Sequence, residues 1–281
     1  MLAVARREAE FRDTGVAVQV SPPAAIATLA GKHDSYTAAS DLGVEVPLWR
    51  TVTDLDGYRR AISELTDLTG GGRLCFKPDL DFGGHGFRVL DDRADTFDEI
   101  TEPPSVRISH ATAERLLGSV DEFPPLIVGE FLEGDEISVD CLSTPSGALV
   151  AALPRRKSGL AWTRELVNDR RAVGIARQMV EGFGLRYLSN VQIRYRTRNG
   201  TPEPVLLEVN TRPASGLYQS CLAGGVNLPA LALAMVLGEE VEPPRPAFGR
   251  SVLVYNEAIP FLPVDALPDA AVGQRSGAGG R

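Results

Sequence analysis

The sequence predicts an α+β protein, and three observations carry that reading. Helix patterns with their own caps, Asp54 to about Leu68 stopped by Gly70-Gly71-Gly72 and Asp169 to about Phe183 closed by Gly184, alternate with short apolar strand runs. Asn199-Gly200 stands between the alternating segments 190–195 and 205–210, which is a strong hairpin signal. Residues 74–78, a glycine loop and residues 88–90 read as strand, loop, strand.

The other elements follow in order. Residues 2–13 carry a helix pattern, and Val16 to Val20 is a β-branched run expected to form a strand. Ser21 is the expected N-cap of a helix over about 24–30 with proline in its first turn, and Asp34 opens another that Gly43 closes. A chain that begins with a helix feeding a strand looks like the end of an α/β domain whose start is missing. Helix patterns near 92–99 and 111–120 precede a buried strand over 126–132 and a half-buried one over 137–142. Asn227 caps a last apolar helix ending at Gly238, residues 251–255 form a closing strand, and Gly273 to Arg281 is expected to be flexible. No internal repeat is visible.

Composition narrows the function. A chain of 281 residues, 43% hydrophobic and 23% charged, is an ordinary globular protein of two domains, or of one domain with a lid. Its net charge of −8 and pI near 5.1 argue against nucleic acid as a partner, so any nucleotide must be held locally. The longest apolar stretch, Leu228 to Leu237, is roughly half of the ~20 residues that cross a bilayer, and the N-terminus lacks a signal-peptide pattern. No membrane span and a cytoplasmic location are expected. Cys75, Cys141 and Cys221 show no metal or disulfide spacing and read as buried reduced thiols. A GxxxxGK[ST] loop, HExxH and GxSxG are all absent.

Three constellations carry chemistry. Lys77, at a strand end and followed by Gly83, Gly84 and Gly86, can bring a cation and backbone N–H groups to polyphosphate oxygens; a surface lysine beside a turn is the plain alternative. On the hairpin, Gln192 faces a partner strand whose Glu208 and Asn210 share one side, so three hard oxygen donors converge as Mg²⁺ requires. Arg212 follows at the same parity and can clamp a phosphoryl group. A solvated polar face would leave Leu206, Leu207 and Val209 unexplained. Third, Glu130-Phe131-Leu132-Glu133-Gly134-Asp135-Glu136 runs from a buried strand into a turn with free backbone groups and an acid, which suits a purine edge and ribose hydroxyls.

In this order the motifs resemble the ATP-grasp superfamily, particularly the branch of the carbamoyl-phosphate synthase large subunit and the carboxylate–amine ligases. The resemblance covers roughly residues 16–258. It rests on Phe76-Lys77-Pro78 with Gly83-Gly84-His85-Gly86, on residues 130–140, on Asn190-Val191-Gln192, on Leu207-Glu208-Val209-Asn210-Thr211-Arg212-Pro213, and on Gly225-Val226-Asn227-Leu228-Pro229. It implies two α+β subdomains that clasp ATP, with about 73–131 as a lid. Lys77 then holds the α- and β-phosphates, and the loop of Gly83, Gly84, His85 and Gly86 covers the γ-phosphate. Lys32 matches the first nucleotide-binding basic residue, although Gly31 stands where many relatives have Asp or Ser. Glu130 and Leu132 pair with adenine through their backbones, with Phe131 between them, and Glu136 binds ribose. Gln192, Glu208 and Asn210 match the Mg²⁺ positions, where Mn²⁺ can substitute, and Arg212 matches the phosphate clamp. Arg155 and Lys157 are the favoured carboxylate binders, with a solvated basic turn as the alternative.

The activity so implied is an ATP- and Mg²⁺-dependent ligase: a carboxylate becomes an acylphosphate that an amine or ammonia captures, with ADP as product. The alternatives are a catalytically silent ATP-binding module or regulatory subunit, and a phosphotransferase. The expected division is 1–47 as the remnant of a truncated α/β domain, 48–260 as the ATP-grasp domain, and 261–281 as a flexible tail. The missing N-terminal sheet invites a homo-oligomer or a partner to cover apolar edges.

Overall fold

The computed structural model describes residues 1–80, 84–94, 105–157, 163–198 and 200–255. The α+β expectation holds, with two separate sheets and helices on their faces.

The first sheet holds β1 (Trp49–Val52), β2 (Leu74–Pro78), β3 (Arg88–Leu90), β4 (Arg107–Ile108) and β5 (Leu126–Glu130), in the order β1-β5-β2-β3-β4. All its pairs are antiparallel except β3 with β4. Among the described residues, two helices cover it. The first spans Leu55–Thr69, with Asp54 accepting a hydrogen bond from the Gly57 N–H at 2.7 Å and Gly70 in the left-handed conformation at its end. The second spans His110–Leu117. Tyr58, Ala61 and Leu65 of the longer helix bury against Phe76 and Val128, and this apolar contact fixes the sheet.

The second sheet is fully antiparallel: β6 (Glu136–Ser143), β7 (Leu149–Lys157), β8 (Thr163–Leu166), β9 (Tyr187–Arg198), β10 (Thr201–Asn210) and β11 (Ser251–Leu253), in the order β10-β9-β6-β7-β8-β11. Alternation divides its faces. Ile137, Val139, Cys141, Val191 and Ile193 point to one side, where the helix Arg170–Gly182 packs Ile175, Ala176 and Met179 against them. The other face is apolar at one end, where Leu142 and Leu153 lie under the helices Leu217–Gly224 and Leu228–Val236, and polar at the other.

Several sequence expectations are corrected here. Residues 2–13 form two helices, Leu2–Arg6 and Glu8–Asp13. Val16 to Val20 finds no ladder partner and forms no strand; Val20 packs instead with Ala5 and Ile26. Ser21 caps no helix, because its Oγ accepts from the Arg186 N–H at 3.1 Å while Pro22 takes the cap of Pro23–Thr28. Asp34 lies inside the helix Lys32–Asp41, which starts at Gly31. The segment from Pro154 to Lys157 is strand rather than basic turn. Gly83, most of the helix expected at 92–99, Asn199 and the tail lie outside the described residues. No single described helix is long and apolar enough to cross a membrane.

Candidate functional site

The two sheets meet where β5 leaves the first at Glu130 and the chain enters β6 at Glu136. Gly134 makes this crossing: its N–H donates to the Tyr195 carbonyl at 3.1 Å, and a Cβ there would stand 2.6 Å from that same oxygen. The Glu130 carboxylate accepts from the Leu48 N–H at 3.0 Å and from Arg196 in a buried ion pair. Its carbonyl takes only a weak contact from Cys75 Sγ at 3.6 Å, and the Leu132 backbone makes no backbone hydrogen bond among the described residues. A carbonyl and an amide are thereby left open along one edge, the donor–acceptor pattern a purine can read. Phe131 between them lies under the guanidiniums of Arg73, 4.8 Å away, and Arg194, 5.2 Å away.

These groups line a cleft of about 210 Å³. Ile127, Cys75, Phe87 and Leu207 give it apolar walls, and Lys32, Lys77, Gly84, Glu136, Gln192 and Glu208 bring polar groups into it. Lys77 Nζ donates to the Tyr36 hydroxyl at 2.9 Å, which donates in turn to the Leu207 carbonyl at 2.9 Å; burial pushes the Tyr36 phenol up from its ordinary value. Lys32 begins its helix against the end of β2, with Nζ 3.2 Å from the Asp79 carbonyl. Gly86 has φ +75°, and a Cβ there would stand 2.8 Å from Pro78, so the glycine turn folds tightly back on the strand that carries Lys77. His85 is exposed on that turn.

A β-bulge builds the oxygen cluster. Gln192 stands directly opposite Glu208, and Asn190 opposite Asn210, but the register shifts between Leu206 and Glu208. Leu206 therefore joins the core with Val209, while Leu207 and Glu208 both reach the cleft. Among the described residues, the side chains of Gln192, Glu208 and Asn210 make no hydrogen bond or ion pair, which leaves one carboxylate and two amides open on one face. No three His, Cys, Asp or Glu side chains cluster there. The donor set fits a hard divalent ion that shares its coordination with phosphate oxygens, since it is all oxygen and carries a single charge. Asn210 and Arg212 line a second cavity, which adjoins the first through Lys32, Tyr36, Leu207 and Glu208.

Arg155 and Lys157 sit differently. Arg155 is buried in a network: its Nε donates to Ser220 Oγ at 3.0 Å and its Nη2 to Ser138 Oγ at 3.2 Å, with Asp140 3.8 Å away. Asp140 also accepts from Ser220 at 2.6 Å and from Asn190 at 2.8 Å. Burial pushes the Asp140 carboxyl up and the Arg155 guanidinium down. Lys157 is exposed, 3.8 Å from Glu136. Neither lines the cleft.

The comparisons with known proteins fit this geometry. The family model described as "ATP-grasp in the biosynthetic pathway with Ter operon" matches residues 122–258, just under half of the chain, from β5 through the crossing and the oxygen cluster to β11. Over these residues the chain is similar to that ATP-grasp family. Among solved structures, the biotin carboxylase domain of Hydrogenobacter thermophilus 2-oxoglutarate carboxylase, in complex with MgADP, ADP and bicarbonate, superposes with a TM-score of 0.63 at 13% identity, over 89% of this chain and 55% of that one. The D-alanine–D-alanine ligase of Bacillus anthracis complexed with ATP gives 0.55 at 18%, over 82% and 72%. The ATP-grasp ligase PsnB complexed with minimal precursor gives 0.56 at 17%, over 84% and 69%. The chain thus spans between about half and three quarters of these proteins' lengths. No curated protein matches it.

Several residues of the cleft went unread in the sequence. Tyr36, Trp49, Phe87 and Arg194 line the cleft although they lie in no motif. Only the parity of Arg194 with Gln192 on one strand signalled that it shares the site.

Proposed function

We propose that the chain is an ATP- and Mg²⁺-dependent ligase that activates a carboxylate as an acylphosphate for capture by an amine or ammonia. The observation that carries this reading is the order of groups along one cleft: open backbone at 130–132, the acid Glu136, the cations Lys77 and Lys32, and then Gln192, Glu208 and Asn210 with Arg212 beyond. The Glu130 carbonyl and the Leu132 amide read adenine, the apolar walls hold its faces, and Glu136 accepts from ribose hydroxyls. Lys77, Lys32 and the turn of Gly83, Gly84, His85 and Gly86 hold the phosphates. Gln192, Glu208 and Asn210 would hold Mg²⁺, which supplies charge neutralisation at the β- and γ-phosphate oxygens when bound.

The chemistry then needs positioning rather than a protein nucleophile. A substrate carboxylate oxygen attacks the γ-phosphorus, the bond to the β-phosphate oxygen breaks, and ADP leaves. Arg212 stabilises the charge spread over the transferring group. The amine nitrogen next attacks the acyl carbon, expelling inorganic phosphate and losing a proton. Closure of the first sheet over the second excludes the water that would hydrolyse the acylphosphate. The named ligands and reactions of the solved neighbours support this reading at the level of the fold.

Calorimetry with MgATP tests it first. The chain is expected to bind, and Lys77→Ala and Glu208→Ala are each expected to weaken binding at least tenfold. Carboxylate- and amine-dependent ADP release then identifies a ligase, release that needs no amine a phosphotransferase, and binding without turnover a silent module. A folded chain that ignores MgATP would end the reading.

A further inference from the structure

The helix Lys32–Asp41 starts without a cap of its own. Gly31 stands at its N-cap position and offers no side chain to the N–H groups of the first turn. The backbone there does not call for glycine, since φ is −95° and ψ is 146°, extended values that any residue adopts. The space does. A Cβ on Gly31 would stand 3.1 Å from Oδ2 of Asp79, which reaches the helix from just past the end of β2. Asp79 Oδ1 accepts from the His33 N–H at 2.7 Å, and the Asp79 carbonyl accepts from the Lys32 N–H at 3.3 Å and from Lys32 Nζ at 3.2 Å. The Asp79 N–H donates to the Pro125 carbonyl at 2.9 Å, which ties this cap to the segment entering β5. Two residues before Asp79 stands Lys77, whose Nζ meets the Tyr36 hydroxyl one turn into the same helix at 2.9 Å. The end of β2 therefore grips the helix twice, at its start and one turn on, and both lysines of the cleft belong to that joint.

We infer that Asp79 is a positioning residue of the nucleotide site: it caps, from the first sheet, the helix that Lys32 begins, and so holds Lys32 beside Lys77. The inference rests on the nucleotide half of the ligase reading above and deepens it. Asp79 lines neither the cleft nor the adjoining cavity, so it acts through the helix rather than on a ligand. Its carboxylate also meets the positive end of the helix dipole, where a negative charge is favoured. Gly31 is the counterpart of this arrangement, because a side chain there would occupy the place that the Asp79 carboxylate takes.

Calorimetry with MgATP and thermal unfolding of the full chain test it. Asp79→Ala is expected to weaken MgATP binding at least fivefold, and Asp79→Asn, whose amide oxygen still accepts from the His33 N–H, by less than twofold. Gly31→Asp alone should weaken binding severalfold, because two carboxylates then crowd one helix start. Combined with Asp79→Ala, the same substitution supplies the cap from within the helix while the backbone carbonyl at position 79 still holds Lys32, and Kd should return to within twofold of the unmodified chain. The inference is overturned if Asp79→Ala lowers Tm while Kd stays within twofold, which is the mark of a merely structural cap. It is overturned equally if Asp79→Asn weakens binding as much as Asp79→Ala, which makes charge rather than capping the cause, or if the double variant binds no better than Asp79→Ala. Should Asp79→Ala fail to fold, the double variant decides alone: folding with restored binding supports the inference, and failure of either ends it. Absence of MgATP binding by the unmodified chain would instead overturn the nucleotide reading and this inference with it.

Discussion

At the scale of single residues, the cleft depends on a few side chains whose surroundings fix their chemistry. Cys75 lines the cleft, and burial pushes its thiol up to about 11. A thiol raised in this direction stays protonated at neutral pH, so at pH 7.5 Cys75 carries roughly a hundredfold less thiolate than an ordinary cysteine. Its alkylation by iodoacetamide should be slow by a similar factor, rise with pH well past 9, and slow further with MgATP present; mass spectrometry of the labelled chain reads all three. The ion pair of Arg196 with Glu130 is nine-tenths buried on both sides and stands behind the open backbone of the crossing. Arg196→Met leaves Glu130 buried and uncompensated, and is expected to cost about 3–5 kcal/mol by urea denaturation. The motif readings at Lys77, Glu136, Gln192 and Glu208 were legible from residue type and spacing, and all four side chains line one cleft. Tyr36 and Trp49 were not legible, because an aromatic residue looks the same in a core as in a binding wall.

At the scale of elements, the crossing and the bulge decide the geometry. Gly134→Ala should drive a methyl group into the Tyr195 carbonyl, separating β6 from β9 at the edge of the cleft. The expected loss is about 1–3 kcal/mol, seen as a lower Tm, together with weaker MgATP binding. An unchanged Tm would show that the crossing relaxes freely. The hairpin was readable from Asn199-Gly200 and its flanking alternation, but that turn by itself sets Gln192 opposite Leu207, and the bulge brings Glu208 there instead. The shift at Leu207 was not readable: strict alternation would put Leu206 on the same face as Glu208, yet Leu206 belongs to the core. Deleting Leu207 should remove the bulge while Leu206 stays in the core and Glu208 stays opposite Gln192 on the cleft face. MgATP binding weakened no more than by Leu207→Ala is the expected outcome in calorimetry, and loss of binding as complete as that of Glu208→Ala would show that the bulge itself aims the carboxylate. β7 was not read because the basic residues Arg155, Arg156 and Lys157 break the apolar strand pattern, whereas antiparallel neighbours on both sides hold them in a strand and rule out the alternative of a basic turn.

At the scale of the molecule, the site belongs to neither sheet alone. β2 and β5 bring Lys77 and the Glu130 carbonyl from the first sheet, and β6, β9 and β10 bring Glu136, Gln192 and Glu208 from the second. A ligand that touches both stabilises the whole assembly by mass action, about 2.7 kcal/mol at a hundredfold excess over Kd. MgADP should therefore raise Tm in a concentration-dependent way and slow hydrogen exchange in β2 and β10 together. Protection confined to one sheet would mean that the nucleotide does not bridge them.

The sequence by itself determined the α+β class, the capped helices at 55–69 and 170–182, the hairpin and the identity of the polar groups, because caps, alternation and turn chemistry are local signals. Only the tertiary structure decided that Val16 to Val20 stays unpaired, that Arg155 is spent in a buried network with Asp140, and that a second cavity opens beside the oxygen cluster. Each of these depends on what lies across from a residue far along the chain, and spacing within one segment carries no record of it.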